Sequence, residues 1–569
     1  MILSNNRPIL LLFSVSCYAI LELRNINGGI VLDNKQLKFR NLGVMVDCSR
    51  NAVMSVEQLK TFITVTAKMG YNQVHLYMED TYEIDDEPFF GYLRGRYSKA
   101  ELKELGDFAY GLGVELVPNI QTLAHMDAFV GWRPDIRDIN NILLVGEEKT
   151  YDLIERMFRS LRECFRTNKL HIGMDEAFML GRGQYYDKHG PVDRFDILLS
   201  HLNRVCDIAD RYGFEPMMWS DMFFRIANGG EYRTDNLTFD ESIKEKIPEK
   251  LTLVYWDYFS RDKKKYDMMI KNHFRLTDRV SYAGACWKWQ GFVPDNRYTN
   301  RVLKAALETC INDGIQDVLI TMWGDDGCEC SNLSLLPSLC YAACLAQGIT
   351  RMADVRAKFF ECVGVRYDDY ILLDLPDYPD TYEAEVVANP TKYFLYADCF
   401  MSKFANIEKA EYTEFYTATA RRLRYAAKRA GEFAYLFDTL AKLCSALCLK
   451  QNICSRTREA YNSGDKAQLD KIIVDYRTMI KRTREFYYAY RKQWYMENKP
   501  HGFDVQDLRL GGLIGRMTSC MERLIAYRNG EIASIPELEE EIVPIINGIN
   551  RFNIWAQTVS NNIVGRQFI

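Results

Sequence analysis

Leu170-His171-Ile172-Gly173-Met174-Asp175-Glu176 is an apolar run that stops at a glycine and gives way to two neighbouring carboxylates. Successive strand residues point to opposite faces, so Asp175 and Glu176 reach one pocket only if the backbone leaves regular geometry near Gly173. Strand ends that carry catalytic groups behave this way. Crowded carboxylates push their titrations apart, leaving one protonated as an acid and the other ionised as an electrostatic or orienting partner. An isolated Asp-Glu pair is more often a solvated loop charge, so its meaning depends on the rest of the chain.

Working outward, short apolar runs alternate with longer amphipathic stretches between residues 43 and 326. That is the pattern of repeated βα units around a parallel sheet. Eight strands are expected, at Gly43–Asp47, Gln73–Met78, Glu115–Asn119, Leu170–Met174, Pro216–Ser220, Leu253–Asp257, Tyr282–Cys286 and Asp317–Met322. Helices are expected between them, among them Val56–Met69, with apolar residues at 56, 59, 63 and 67, and Lys99–Leu112. About 280 residues for eight units fits a (β/α)8 TIM barrel, whose catalytic groups lie at strand C-termini.

Each run is followed at once by polar, charged or indole groups. Asp47 and Arg50 follow the first; Glu79 and Asp80 the second; His125 and Asp127 the third; Asp175 and Glu176 the fourth. Trp219 and Asp221 follow the fifth; Trp256, Asp257 and Tyr258 the sixth; Trp287 and Trp289 the seventh; Trp323, Asp325, Asp326 and Glu329 the eighth. A single tryptophan is more often core than ligand wall. Five of the chain's eight at the same end of four successive strands exceed what packing alone requires. Carboxylates that accept from hydroxyls, beside indole faces that cover sugar C–H patches, describe a carbohydrate pocket. A metal-hydrolase barrel would want paired histidines, and the seven histidines supply no such pair. There is no phosphate-binding Gly-rich loop and no dinucleotide fingerprint.

The 569 residues, 48% hydrophobic and 26% charged, exceed one average domain and can fill more than one core. A net charge of -5, a pI near 6.0 and the lack of any run of five or more basic residues argue against a nucleic-acid partner. Sixteen scattered cysteines without a CxxC pair read as reduced core thiols of a cytoplasmic protein. Ile9–Ile20 is too short to span a membrane and reads as a buried helix or strand; the alternative is a signal-peptide core, which would make the protein secreted.

His171-Ile172-Gly173-Met174-Asp175-Glu176 resembles the HxGxDE signature of family 20 glycoside hydrolases, the β-N-acetylhexosaminidases. Met45–Ala52, Leu76–Tyr82, Ile120–His125, Trp219–Phe224 and Tyr255–Tyr258 extend the likeness to an intracellular Gram-positive subgroup with a helical region after the barrel. The resemblance implies substrate-assisted retention, in which the substrate's own 2-acetamido oxygen attacks the anomeric carbon. Catalytic roles then fall to Glu176 as general acid and later base, and to Asp175 as the partner of the acetamido N–H. Arg50 would bind outer hydroxyls, and Asp80 and His125 would support the acid and the pocket floor. Trp219, Trp256 and Trp323 would enclose the acetamido methyl and underlie the ring, and Asp325, where the family usually has Glu, would reach hydroxyls 4 and 6. No metal or organic cofactor is implied.

The chain departs from the family on strand seven, where Trp287-Lys288-Trp289 stands in place of the Tyr that donates to the acetamido oxygen. Tyr258, or else Tyr282, is the replacement phenol, and Glu329 is a substitute for Asp325. The expected substrate is a small glycan with a terminal GlcNAc or GalNAc. A lacto-N-biosidase-like enzyme and a non-catalytic glycan-binding barrel are the alternatives.

The expected division is a remnant of an N-terminal α+β domain over 1–40, a barrel over 41–345 and a helical domain over 346–569. Long helical stretches, Glu411–Tyr461 and Lys466–Met496, are separated by Asn462-Ser463-Gly464-Asp465. Phe486-Tyr487-Tyr488-Ala489-Tyr490 reads as core or homodimer packing, with an acceptor-sugar cleft as the other reading.

Overall fold

The computed structural model describes residues 37–233, 242–380, 387–544, 546–560 and 562. The Ile9–Ile20 run and nearly all of the expected N-terminal remnant lie outside them.

Eight parallel strands close into a barrel in sequence order. They are β1 (Asn41–Asp47), β2 (Gln73–Tyr77), β3 (Glu115–Asn119), β4 (Lys169–His171), β5 (Glu215–Trp219), β6 (Thr252–Trp256), β7 (Val280–Ala285) and β8 (Asp317–Met322). β1 pairs with both β2 and β8, which removes the sheet edge. Six of the seven β1 residues are buried, as expected for strands covered by helices on one side and barrel core on the other. The helices are cut by local chemistry. Ser55 caps Val56–Met69 by accepting from Gln58 N–H, and Gly70, at φ 113°, ends it. Ser98 and Glu101 form a capping box at the start of Lys99–Gly111.

β4 is shorter than the Leu170–Met174 expected, and the cause lies in the same heptad that reveals the barrel. Gly173 (φ 74°), Met174 (φ 71°) and Glu176 (φ 52°) all adopt left-handed backbone, so the strand stops at His171, three residues early. A Cβ on Gly173 would fall 2.1 Å from Gln121 Oε1, so only glycine lets Gln121 approach.

After the barrel the described residues are helical. The expected stretch 411–461 is three helices, Glu411–Ala427, Ala434–Lys450 and Ile453–Ser463, while Lys466–Glu497 runs unbroken from its Asp465 cap. Phe486 and Tyr490 pack edge-on to Phe292, with centroids at 5.1 and 5.3 Å, which places that aromatic stretch in the contact with the barrel. The helical part also grips the loop after β8. Arg509 and Lys392 converge on Asp326 and Glu329; Lys392 and Glu329 are fully buried, 3.1 Å apart. Gln506 holds the Gly327 carbonyl at 2.9 Å.

The 15 cysteines among the described residues are buried and form no disulfide. Among those residues no helix is long and apolar enough to cross a membrane.

Candidate active site

At the C-terminal end of the strands an open cavity of about 400 Å³ is lined by Arg50, His125, Asp175, Glu176, Trp219, Trp256, Tyr258, Trp323 and Asp325, together with Arg225, Arg233, Phe259, Trp289, Arg551 and Asn553. The left-handed turn after β4 is what brings Asp175 and Glu176 to this one cavity.

Asp175 is held from two sides. Gln121 donates to Oδ1 at 2.7 Å, and His125 Nε2 stands 3.2 Å from Oδ2. Gln121 is itself fixed, because its carbonyl accepts from Met174 N–H at 3.1 Å and its amide also donates to Tyr77. Burial opposes a charge on Asp175, but His125 and Gln121 outweigh it and hold the carboxyl down at about 2. For His125, burial favours the neutral ring, yet Asp175 lifts the imidazole to about 9. The two form a buried ion pair whose charges persist across the physiological range.

Glu176 sits closer to solvent, 3.8 Å from both His125 Nε2 and Arg225 Nη2. Its backbone N–H donates to Asp221 at 3.2 Å, and Asp221 in turn takes Arg225 Nε at 2.9 Å. Burial, reinforced by the charge of Asp175, pushes the Asp221 carboxyl up to about 7. Three carboxyl groups therefore differ in environment within one small region: one stabilised as an anion, one buried behind the wall, and one at the mouth, open to solvent.

The wall is aromatic. Tyr258 stacks on Trp256 at 5.3 Å, and Trp323 lies edge-on to Tyr77 at 4.8 Å. Arg50 donates to Glu79 at 3.0 Å and Asp325 at 3.4 Å, which ties strand ends one, two and eight together at the far end of the cavity.

Four expected residues stand elsewhere. Asp80 is buried behind the wall, where it holds Arg94 and the Gly91 N–H. Trp287 is also buried, donating to the Tyr258 carbonyl at 2.8 Å, and its stacked neighbour Trp289 is the one that faces the cavity. Tyr282 donates to the Asp257 carbonyl and is wholly buried, which leaves Tyr258 as the phenol at the cavity. Glu329 is locked by Arg509, Lys392 and Tyr396 and does not reach it.

Among the residues that sequence reasoning passed over, Arg225 had a signal: it lies four residues after Asp221 on the short helix Asp221–Ala227 that follows β5. Arg551 and Asn553 had none, because they come from the far end of the chain.

His125, Asp175 and Glu176 could also be read as three ligands for one metal ion. A metal there would have to displace the Nε2 proton that Asp175 stabilises on His125.

Two family descriptions match the sequence: "Glycosyl hydrolase family 20, catalytic domain" over residues 38–273 and "Glycoside Hydrolase 20C C-terminal domain" over 368–551. Bovine (Bos taurus) Hexosaminidase D is 24% identical over 237 residues, covering 39% of this chain and 62% of that protein. Human (Homo sapiens) Hexosaminidase D is 24% identical over 342 residues, covering 56% and 68%. The chain thus spans about two thirds of the length of these curated relatives. A solved GH20 β-N-acetylhexosaminidase from Streptomyces coelicolor A3(2) superposes with a TM-score of 0.44 at 18% identity, covering 58% of this chain and 70% of that one. With the two family matches taking up most of its length, one on the barrel and one on the helices, the chain belongs to glycoside hydrolase family 20.

Proposed function

We propose that the protein is an exo-β-N-acetylhexosaminidase, removing terminal β-GlcNAc or β-GalNAc from short glycans with retention of configuration. The observation that carries this reading is the division of labour at the β4 turn. Asp175, kept anionic by His125 and Gln121, accepts the acetamido N–H and turns its oxygen toward the anomeric carbon. Glu176, at the mouth, gives its proton to the departing glycosidic oxygen and then takes one from the water that opens the oxazolinium ring. Tyr258 donates to the acetamido oxygen, and its phenol is kept protonated by burial, which pushes its pKa well above the usual value. Trp219, Trp256 and Trp323 close around the methyl, and Arg50 with Asp325 binds the outer hydroxyls. The free, buried thiols of the described residues support a reducing, cytoplasmic compartment.

The test compares 4-nitrophenyl β-GlcNAc, β-GalNAc and β-glucose as substrates of the wild type and Glu176→Gln. Both acetamido sugars are cleaved, β-glucose hardly at all, and Glu176→Gln loses activity. Equal turnover of β-glucose, which has no internal nucleophile, would refute the mechanism.

A further inference from the structure

A second cavity, of about 270 Å³, opens at the opposite, N-terminal end of the barrel. TIM barrels are ordinarily filled by layers of side chains, and the hydrolysis proposed above makes no use of that end. Here the strand starts carry a ring of charge. Arg40 pairs with Asp317, Lys169 with Glu115 at 2.7 Å, and Arg279 with Glu215 at 3.1 Å. Inside the ring the small side chains of Thr252 and Ser281 leave the wall open, and His75 forms part of the floor. Gln73 and His75 stand two apart on β2, so both face inward.

The ring holds more N–H donors than its acids take up. Asp317 accepts from Asn41 as well as from Arg40. Glu115 accepts from Gln73 and Thr167, both at 2.5 Å, as well as from Lys169. Neutral groups thus occupy part of two of the three carboxylates. Among the described residues Lys169 Nζ uses one of its three N–H groups on an acid, and Arg279 one of its five. Only Glu215, at the rim, keeps an oxygen without a donor among those residues. The floor feels a positive balance. Burial, then the charge of Lys169, lowers the His75 imidazole to about 3, and the opposing effect of Glu115 is smaller. The ring is therefore neutral across the physiological range. His75 is 2% exposed, and its Nδ1 has no hydrogen-bond partner among the described residues. Surface ion pairs are usually completed by water, but a buried imidazole nitrogen without a partner calls for a ligand in the cavity it lines.

We propose that the N-terminal mouth of the barrel is a second binding site, for a small oxyanion, held by Lys169 and Arg279 with the His75 imidazole donating from the floor. Idle N–H groups of an ammonium and a guanidinium make charge-assisted bonds to such an anion, and the imidazole supplies a donor that stays uncharged where burial disfavours charge. At roughly 30 Å³ per water molecule the cavity has room for about nine, enough for a phosphate, a sulfate or a short dicarboxylate with part of its hydration. The inference is independent of the hexosaminidase reading and concerns the end of the barrel away from Asp175 and Glu176.

The test is calorimetry on the full chain at low salt, with inorganic phosphate, sulfate and succinate as probes. The wild type binds one equivalent of at least one of them, added sodium chloride weakens the binding, and the anion bound most tightly names the ligand class. Arg279→Gln and Lys169→Gln each weaken that anion about tenfold, the worth of one charge-assisted hydrogen bond. Thr252→Asp leaves every ion pair of the ring in place, sets a like charge in the cavity and weakens the anion at least as much. If Lys169→Gln fails to fold, Arg279→Gln and Thr252→Asp decide. The catalytic cavity has arginines of its own, so Arg551→Gln is titrated alongside and binds the anion as the wild type does. Loss of binding in Arg551→Gln places the anion in the catalytic cavity and overturns the proposal. No saturable binding by about 10 mM overturns it too. Binding that Arg279→Gln and Thr252→Asp leave unchanged means an adventitious ion only and is equally fatal.

Discussion

Replacing His125 by glutamine should move the acid limb of the pH–rate profile. At 3.2 Å, the separation of His125 Nε2 from Asp175, and an effective dielectric of about 20, opposite unit charges attract by about 5 kcal/mol. That is the equivalent of three to four pKa units, at about 1.4 kcal/mol each. Water at the cavity mouth and the remaining Gln121 hydrogen bond recover part of the loss, so a rise of about two units is expected for Asp175, from its native value of about 2. Because kcat/KM reports ionisations of the free enzyme, its acid limb should shift upward by about two pH units. The assay is 4-nitrophenyl β-GlcNAc hydrolysis from about pH 3 to 9, quenched in alkali, with return to neutral pH to confirm that the enzyme has survived. Acid limbs that superimpose for wild type and His125→Gln would show that His125 does not keep Asp175 ionised.

The same pair makes stability depend on pH. His125 binds its proton more tightly when folded, so its contribution is complete below its unfolded pKa near 6.5 and disappears as pH rises through about 9. Asp175 contributes above its unfolded value near 3.8 and loses that contribution as pH falls through about 2. Melting-temperature differences between wild type and His125→Gln should therefore be largest between about pH 4 and 6.5 and fade toward pH 9; a difference that grows with pH would contradict the sign. Asp175→Asn should slow hydrolysis about a hundredfold or more, and unchanged turnover would remove Asp175 from its role. Tyr258→Phe should lose at least about tenfold in kcat while melting close to wild type, and full activity would return the acetamido donor to an open question. Lys392→Met strands Glu329 and Asp326 and should destabilise by about 3 kcal/mol in urea, Arg509 remaining; no change would mean that the cluster does not anchor the β8 loop.

The barrel was legible because its strands are short, apolar and regularly spaced. β3 and β8 fall where the pattern puts them, and most other boundaries move by one or two residues. β4 deviates most, since periodicity carries no information about the left-handed backbone that ends it. Asp175 and Glu176 were legible from adjacency at a strand end, and so was most of the indole wall. Asp80 and Trp287 show the limit: position at a strand terminus fixes the layer of a side chain, while its direction is decided by partners such as Arg94 and the Tyr258 carbonyl. Arg551 marks a different limit. Its place depends on Asn389, Lys392 and Asp326, pairings that have no periodic trace in the sequence.

The segment from Arg551 to Trp555, held beside the cavity by Asn389, Lys392 and Asp326, also bears on how the molecule comes into being. A barrel leaving the ribosome has its acid pair, its indoles and its eighth strand long before Arg551 and Asn553 are synthesised. Until residues 551–555 arrive and lock onto Asn389 and Asp326, the cavity lacks the part of its wall that Arg551 and Asn553 supply. The cavity is thus complete only after the barrel and the helices that follow it have both been made.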